Sequence, residues 1–417
     1  MSEELLDHKG RPRIAVTGMG IKCPAGTDLE SVWSTMRAGR SMAATIDLFD
    51  ASPLDVRFAC QVPHHFDPVD YFGAKEARRQ DRVTHLGFGA AADAIEHAGE
   101  LNVDPERCAV VAATGVGGLT TLEENCHIFY EKGPSRVSPF FVPMMMPNAT
   151  AGVISMRYGF TGPAFCVSTA CAAGTNAIGE GVRLIRDGSA DVVIAGGTEA
   201  FTAVTVAAFA RMGALSRRND DPASASRPFD VDRDGFVIAE GAAFLVLEPM
   251  ERALARGATI HGEVAGYGRN SDAYHITAPS PGGAGAARCM QLALEDAGLE
   301  PAEIGHINAH GTSTDLNDSA EAEAIRKVFG DAPPPVTAPK GVLGHMIGGA
   351  GAAEAVISLL ALRDEILPPT ANLTTIGEDI ALDVVHGSER PVSARPAISN
   401  SFGFGGHNAS LVLRRVG

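Results

Sequence analysis

The chain has 417 residues, with 50 acidic against 34 basic side chains and a formal charge of −16; this argues against nucleic acid as its main partner, because phosphate binding relies on cationic surface. Its length predicts two or three domain-sized units, and 45% hydrophobic with only 6% aromatic residues predicts an aliphatic core. The seven cysteines are odd in number and irregularly spaced, which predicts reduced thiols in a cytoplasm and neither a disulfide framework nor a metal site.

A polar segment, residues 1–12, reads as a flexible N-terminal arm that resembles neither a signal nor a transit peptide. The run IAVTGMG at 14–20 predicts a buried strand closed by glycines. Apolar spacing predicts helices over 29–38 and 82–98. Residues 108–114 and 191–197 read as strands, the latter directly after a helix predicted over 175–185. In the second half, 242–247, 304–309, 397–399 and 409–413 read as strands, and 285–297, 319–329 and 352–363 as helices. Strands that are apolar throughout and alternate with helices imply an α/β protein whose sheets are covered on both faces. We expect two similar halves, 13–255 and 256–417. The polar segment 219–234 reads as a long surface loop. No stretch of about 20 apolar residues occurs, so no membrane insertion is expected.

The most informative run is AFCVSTACAAG at 164–174. An apolar stretch reaches Cys171, and small residues then open a helix. A cysteine at a helix N-terminus meets unpaired N–H groups and the positive end of the dipole, which favour a thiolate. Taken alone, the same cysteine could be a buried, inert core residue. His310 stands in NAHGTST, at the end of a predicted strand, where α/β proteins place working groups. His345 stands in KGVLGHMIGGAG, five residues after Lys340. Either histidine alone could be structural. Finally, SNSFGFGGHN at 399–408 reads as a flexible, glycine-hinged loop whose phenylalanines could gate an apolar tunnel, or as a plain turn.

Together these runs resemble the β-ketoacyl-acyl carrier protein synthases, and among them the elongating type II enzymes of fatty acid synthesis. The motifs are Thr-Ala-Cys, His-Gly-Thr-Ser-Thr, Lys-x-x-x-Gly-His and Gly-Phe-Gly-Gly-x-Asn, in family order from Val16 to Leu413. His407, where the family often has threonine, resembles the actinobacterial branch. The resemblance implies a thiolase-like fold with a five-layered α-β-α-β-α core. It implies Cys171 as nucleophile, and His310 and His345 as stabilisers of an enolate. Lys340, Glu321 and Asp318 would support them, and Phe404 would act as gate and oxyanion N–H. Thr312 and Thr314 would hold the pantetheine arm, and Val116, Phe209 and Phe402 would line the acyl pocket. No organic cofactor is implied, since phosphopantetheine arrives on the acyl carrier protein; the family sometimes holds a structural monovalent cation near Asn308 and Glu354. The run FFVPMMMP at 140–147 is too apolar for a free surface, and the resemblance implies that this region builds a homodimer interface; carrier docking is expected from Lys75, Arg78, Arg79 and Arg211. A polyketide ketosynthase shares every motif. A chain-length-factor-like partner would usually lack the nucleophile, and a thiolase would need a second cysteine after Cys289.

Overall fold

The computed structural model describes residues 3–416. Its ten-stranded sheet contains β1 (Ile14–Lys22), β2 (Cys108–Ala113), β3 (Ala164–Val167), β4 (Val192–Glu199), β5 (Gly241–Pro249), β6 (Gly262–Ser271), β7 (His306–Asn308), β8 (Val336–Thr337), β9 (Ala397–Gly403) and β10 (His407–Arg414). Their spatial order is β8-β7-β9-β10-β6-β1-β5-β4-β2-β3. The order is two copies of one pattern, placed edge to edge: β3-β2-β4-β5-β1 in the first half and β8-β7-β9-β10-β6 in the second. The copies join where β1 pairs antiparallel with β6, Ile14 opposite Val264.

Glycines make the repeat visible in packing. A Cβ at Gly18 or Gly20 on β1 would lie 2.1 or 2.0 Å from a carbonyl oxygen of α1 (Arg82–Ala98). A Cβ at Gly266 or Gly268 on β6 would lie 2.3 or 2.2 Å from one of α4 (Ala284–Ala297). In both halves only glycine lets the outer helix sit this close to the strand. Between the halves lie α2 (Ala173–Arg186) and α6 (Ala350–Asp364), which contact each other and strands of both groups. Every residue of α6 from Ala350 to Leu362 is buried, as a helix apolar all round must be. With α1 outside one group and α4 and α5 (Asp315–Phe329) outside the other, the layers run α-β-α-β-α. Among the described residues no helix is long and apolar enough to cross a membrane.

Three expectations are corrected. The described part of the N-terminal arm is fastened to the body: Leu6 bridges Pro12, Arg11 meets Asp296 at 2.8 Å and Asp7 meets Arg186 at 3.4 Å. Its Asp7, Lys9 and Arg11 are drawn into charge pairs, while Glu4 and His8 stay exposed. Segment 219–234 is only partly a surface loop. Phe229 and Asp230 are fully buried, and the Asp230 carboxylate accepts the backbone N–H groups of Asp232, Thr374 and Thr375. The glycine-hinged loop at 399–408 is mostly two paired strands, β9 and β10, and only Phe404–Gly406 forms the turn.

Candidate active site

Cys171 lies in a single 3-10 turn, Ala170–Ala172, between β3 and α2. The chain reverses there through Ala170, whose φ of +50° is in the left-handed region that non-glycine residues avoid. Such strain costs about 1–3 kcal/mol and persists only where the surroundings impose it. One restraint is Asn176 Nδ2, which donates to Thr169 Oγ1 at 2.7 Å. The hairpin turn presses against the same place. A Cβ on Gly403 would lie 3.0 Å from the Cys171 amide nitrogen. The next residue, Phe404, directs its backbone N–H to the Cys171 sulfur.

The helix N-terminus does not by itself make a thiolate here. Burial pushes the Cys171 thiol up to about 11, against the pull of the Phe404 N–H and the Lys340 charge, while Glu199 reinforces the rise. Burial is the largest influence on this thiol because the sulfur is nearly enclosed.

His310 follows β7, and its loop is held by backbone N–H groups, not by the imidazole. Glu321 on α5 accepts the N–H of His310 and of Gly311, each at 2.8 Å. Asp318, one turn earlier, accepts the N–H of Thr312 at 3.0 Å and of Phe229 at 2.9 Å. The helix starts at Asp315, four residues before the sequence-based expectation, with Thr314 extended at its cap and Asp315 and Asp318 in the first turn, where acidic groups meet the dipole favourably. Burial raises Glu321 to about 7 and Asp318 to about 6, against these donors.

Lys340 hydrogen-bonds at His310 and not at His345. Its ammonium is fully buried, donates to the His310 carbonyl at 2.6 Å, pairs with Glu354, and lies 3.3 Å from His310 Nδ1. A donor at Nδ1 leaves the ring proton on Nε2. His345 is positioned by backbone: its N–H donates to Val237 and its carbonyl accepts from Ala239. Both its ring nitrogens are buried without a partner among the described residues. Burial, reinforced by Lys340, holds both imidazoles well below the usual histidine range, so they are neutral N–H carriers at pH 7.

One side-chain heteroatom each of Cys171, His310 and His345 lies within 4.8 Å of the other two. The His rings cross at 82° with centroids 5.4 Å apart. They open onto a cavity of about 430 Å³, whose walls include Val116, Phe209, Thr312, Thr314, Phe402 and Phe404. Thr312 and Thr314 share a 2.8 Å hydrogen bond at its polar side, and Phe209 faces Phe404 with centroids 6.5 Å apart. Every expected reacting and lining residue therefore meets in one place. The expected docking cations do not. Arg211 ends α3 (Ala203–Arg211), next to the cavity-lining Met212. Lys75 and Arg78 are exposed on or beside the separate helix Val69–Ala77, and Arg79 pairs with Glu76 and stacks over Phe140.

Sequence reasoning missed Glu199. It ends the otherwise apolar β4, fully enclosed, and accepts from Thr114 Oγ1, Gly115 N and Gly348 N. A carboxylate closing an apolar strand is the signal that was available. The strain at Ala170 and at Ile347 (φ +39°) left no trace in residue type. Near the implied cation position, Asn308 Oδ1 and Glu354 Oε2 are buried oxygens that accept no hydrogen bond among the described residues. Both are oxygens, the ligand type that a hard cation takes.

Two family models match, "Beta-ketoacyl synthase, N-terminal domain" over residues 11–253 and "Beta-ketoacyl synthase, C-terminal domain" over 261–374. The chain is 46% identical to a 3-oxoacyl-[acyl-carrier-protein] synthase 2 of Synechocystis, covering 97% of this chain and 98% of that protein. It is 43% identical to the protein of the same name from Vibrio cholerae, covering 97% and 99%. Among solved structures it resembles the ishigamide ketosynthase/chain length factor, with a TM-score of 0.92 at 37% identity over 98% of this chain and 100% of that one. It also resembles a beta-ketoacyl synthase from Burkholderia phymatum, with a TM-score of 0.90 at 36% identity over 97% and 100%. With its cysteine and two histidines gathered at one cavity, and with both family models matched in order, this chain belongs to the β-ketoacyl synthase family.

Proposed function

We propose that this protein is an elongating 3-oxoacyl-[acyl-carrier-protein] synthase of fatty acid synthesis. The observation that carries the reading is the convergence of Cys171, His310 and His345 within 4.8 Å at the apolar cavity. Cys171 attacks the thioester of an acyl-ACP, forming an acyl-cysteine and releasing the carrier thiol. Malonyl-ACP then binds and loses carbon dioxide, and the resulting enolate attacks the acyl-cysteine to give a 3-oxoacyl-ACP two carbons longer. A nucleophile that is also a good leaving group suits this ping-pong sequence.

The backbone N–H groups of Cys171 and Phe404 stabilise the oxyanion of each tetrahedral step; such donors are worth about 3–4 kcal/mol each. His310 and His345, neutral and carrying N–H, stabilise the enolate oxygen without a prior proton transfer. Lys340 keeps the His310 proton on Nε2, and Glu321 and Asp318 hold the loop that bears it. Thr312 and Thr314 hold the pantetheine arm, and Phe404 gates the acyl pocket. No organic cofactor takes part. A monovalent cation held by Asn308 and Glu354 would supply only charge balance and structure.

Carrier docking falls to Lys75, Arg78, Arg79 and Arg211, a local cationic set that offsets the acidic whole. We further propose a cytoplasmic homodimer. Val116, Phe140, Val142, Met146 and Phe165 are each exposed although apolar, and β3 is an edge strand at the end of the sheet. Pairing with a second copy covers both liabilities. Sedimentation at micromolar concentration should give a dimer; a monomer removes that part of the proposal.

The test of the activity is Cys171→Ala. It should abolish condensation while malonyl-ACP decarboxylation continues; elongation at wild-type rate would refute the assignment. A polyketide ketosynthase is the second reading, favoured by the structural likeness to a type II PKS ketosynthase bound to its acyl-carrier protein, at 30% identity. That identity is lower than the 46% to a 3-oxoacyl-[acyl-carrier-protein] synthase 2. Co-purification with a cysteine-lacking homologue would favour the polyketide reading.

A further inference from the structure

The buried carboxylate of Glu199 has no part in the chemistry above, yet it ties together the segments that shape the site. Gly115 N–H donates to its Oε2 at 2.6 Å and Gly348 N–H to the same atom at 2.9 Å, while Thr114 Oγ1 donates to Oε1 at 3.0 Å. Gly115 opens the loop carrying the pocket residue Val116. Gly348 lies three residues after His345.

The turn between His345 and Gly348 has little conformational latitude. Ile347 sits at φ +39°, an outlier for a β-branched residue, and its side chain lines the same cavity as Gly115, Val116 and Cys171. The turn is wedged on several sides. A Cβ on Gly197 would lie 2.3 Å from the Gly348 carbonyl, and one on Gly174 would lie 2.8 Å from it. A Cβ on Gly115 would lie 2.7 Å from Glu199 Oε2 and 2.9 Å from Ile347 Cγ2. Something must hold Ile347 in an unfavourable conformation, and the acceptor for the next N–H is Glu199.

We infer that Glu199 is a positioning residue for the condensation: its carboxylate locks the Ile347–Gly348 turn to the Gly115 loop, fixing His345 against the cavity and setting the inner wall of the acyl pocket. The effect passes through backbone, so Glu199 touches no reacting atom. Glutamine preserves the lock. Its carbonyl oxygen takes both N–H groups, and its amide donates to Thr114 Oγ1, whose hydroxyl turns away. Burial raises the Glu199 carboxyl to about 7, so an uncharged side chain is already sampled at neutral pH. Leucine has similar bulk but accepts nothing.

This inference rests on the reading of Cys171 and His345 as reacting groups, and the experiment separates the two. Malonyl-ACP decarboxylation and acyl transfer to Cys171 are measured per titrated active site in the full-length protein, with acyl-ACPs of graded length, for Glu199→Gln, Glu199→Leu, Thr114→Val and His345→Ala. Normalising to titrated sites removes any unfolded fraction. Glu199→Leu should lower decarboxylation by about 10²-fold, the scale of a misplacement of about 1 Å. It should lower acyl transfer less and change the ranking of acyl lengths. Glu199→Gln should restore both, and Thr114→Val should shift both slightly in the leucine direction. Wild-type behaviour of Glu199→Leu, or equal damage in Glu199→Gln, overturns the inference. If Glu199→Leu does not fold, an unchanged Thr114→Val overturns it instead. If His345→Ala decarboxylates normally, it is the functional reading that fails.

Discussion

Gly403→Ala is the sharpest probe of the surroundings of Cys171, the proposed nucleophile. Gly403 has φ −102° and ψ 158°, which any L-residue adopts, so the substitution adds a methyl group without backbone strain. The cost is purely spatial. The new Cβ would lie 3.0 Å from Cys171 N, 3.0 Å from Thr169 O and 3.1 Å from Ala172 N. Relative to a carbon contact of roughly 3.5 Å or more, each is short by about half an ångström. All three neighbours are backbone, so no side chain can swing aside. Either the hairpin lifts from the Cys171 turn, or the turn shifts with its strained Ala170. Overpacking of this kind costs about 1–3 kcal/mol of stability. Lifting the hairpin also carries the Phe404 N–H away from the sulfur, and losing one oxyanion donor costs about 10²–10³ in rate. The expected outcome is a folded protein with a modestly lower melting temperature and acyl transfer slowed by about 10²-fold or more. The assay is single-turnover acylation followed by intact-protein mass spectrometry. Gly159→Ala is the control: its φ is +70° and a Cβ there meets nothing within 4 Å, so it should cost about 1–2 kcal/mol through conformation alone and leave acylation unchanged. Acylation of Gly403→Ala within threefold of wild type would refute the oxyanion argument.

Alkylation of Cys171 by iodoacetamide in the free protein should still accelerate between pH 8 and 10, because burial raises the thiol to about 11; a plateau by pH 8.5 would show that the helix end prevails. Lys340→Met should destabilise the protein by about 3–5 kcal/mol by leaving Glu354 buried and unpaired, and should slow decarboxylation. Adding Glu354→Gln should recover the melting temperature but not the decarboxylation; recovery of both would deny Lys340 its role in fixing the His310 tautomer. Reversing Lys75 and Arg79 to Glu should raise the KM for acyl-ACP and weaken its salt dependence; an unchanged KM removes that helix from the docking surface.

The elements read most easily were those whose local pattern matches their environment. The apolar runs at 14–20, 108–114 and 191–197 became β1, β2 and β4 with ends displaced by one or two residues. Helix 82–98 matched its observed bounds. Strand β6 went unread because GEVAGYGRNS carries three glycines. Those at 266 and 268 are close-approach positions for α4, which periodicity cannot distinguish from a loop. The loop expected at 399–408 became a hairpin for a related reason: its polar side chains find partners inside the fold, such as Ser401 with Thr175 at 2.7 Å and Ser410 with Asn400 at 2.8 Å.

Residue type and order singled out Cys171, His310 and His345 through the family resemblance of four ordered motifs, since each of these residues taken alone also reads as structural. What tertiary structure decided was the state of those groups. Enclosure keeps Cys171 a thiol and the imidazoles neutral, since desolvation depends on what surrounds a group in space and not on its neighbours in the chain. Folding likewise assigned Lys340 to His310 and brought Glu199 to a turn 149 residues further on. Long-range contacts of that kind are set by how two halves stack, and no local pattern encodes them.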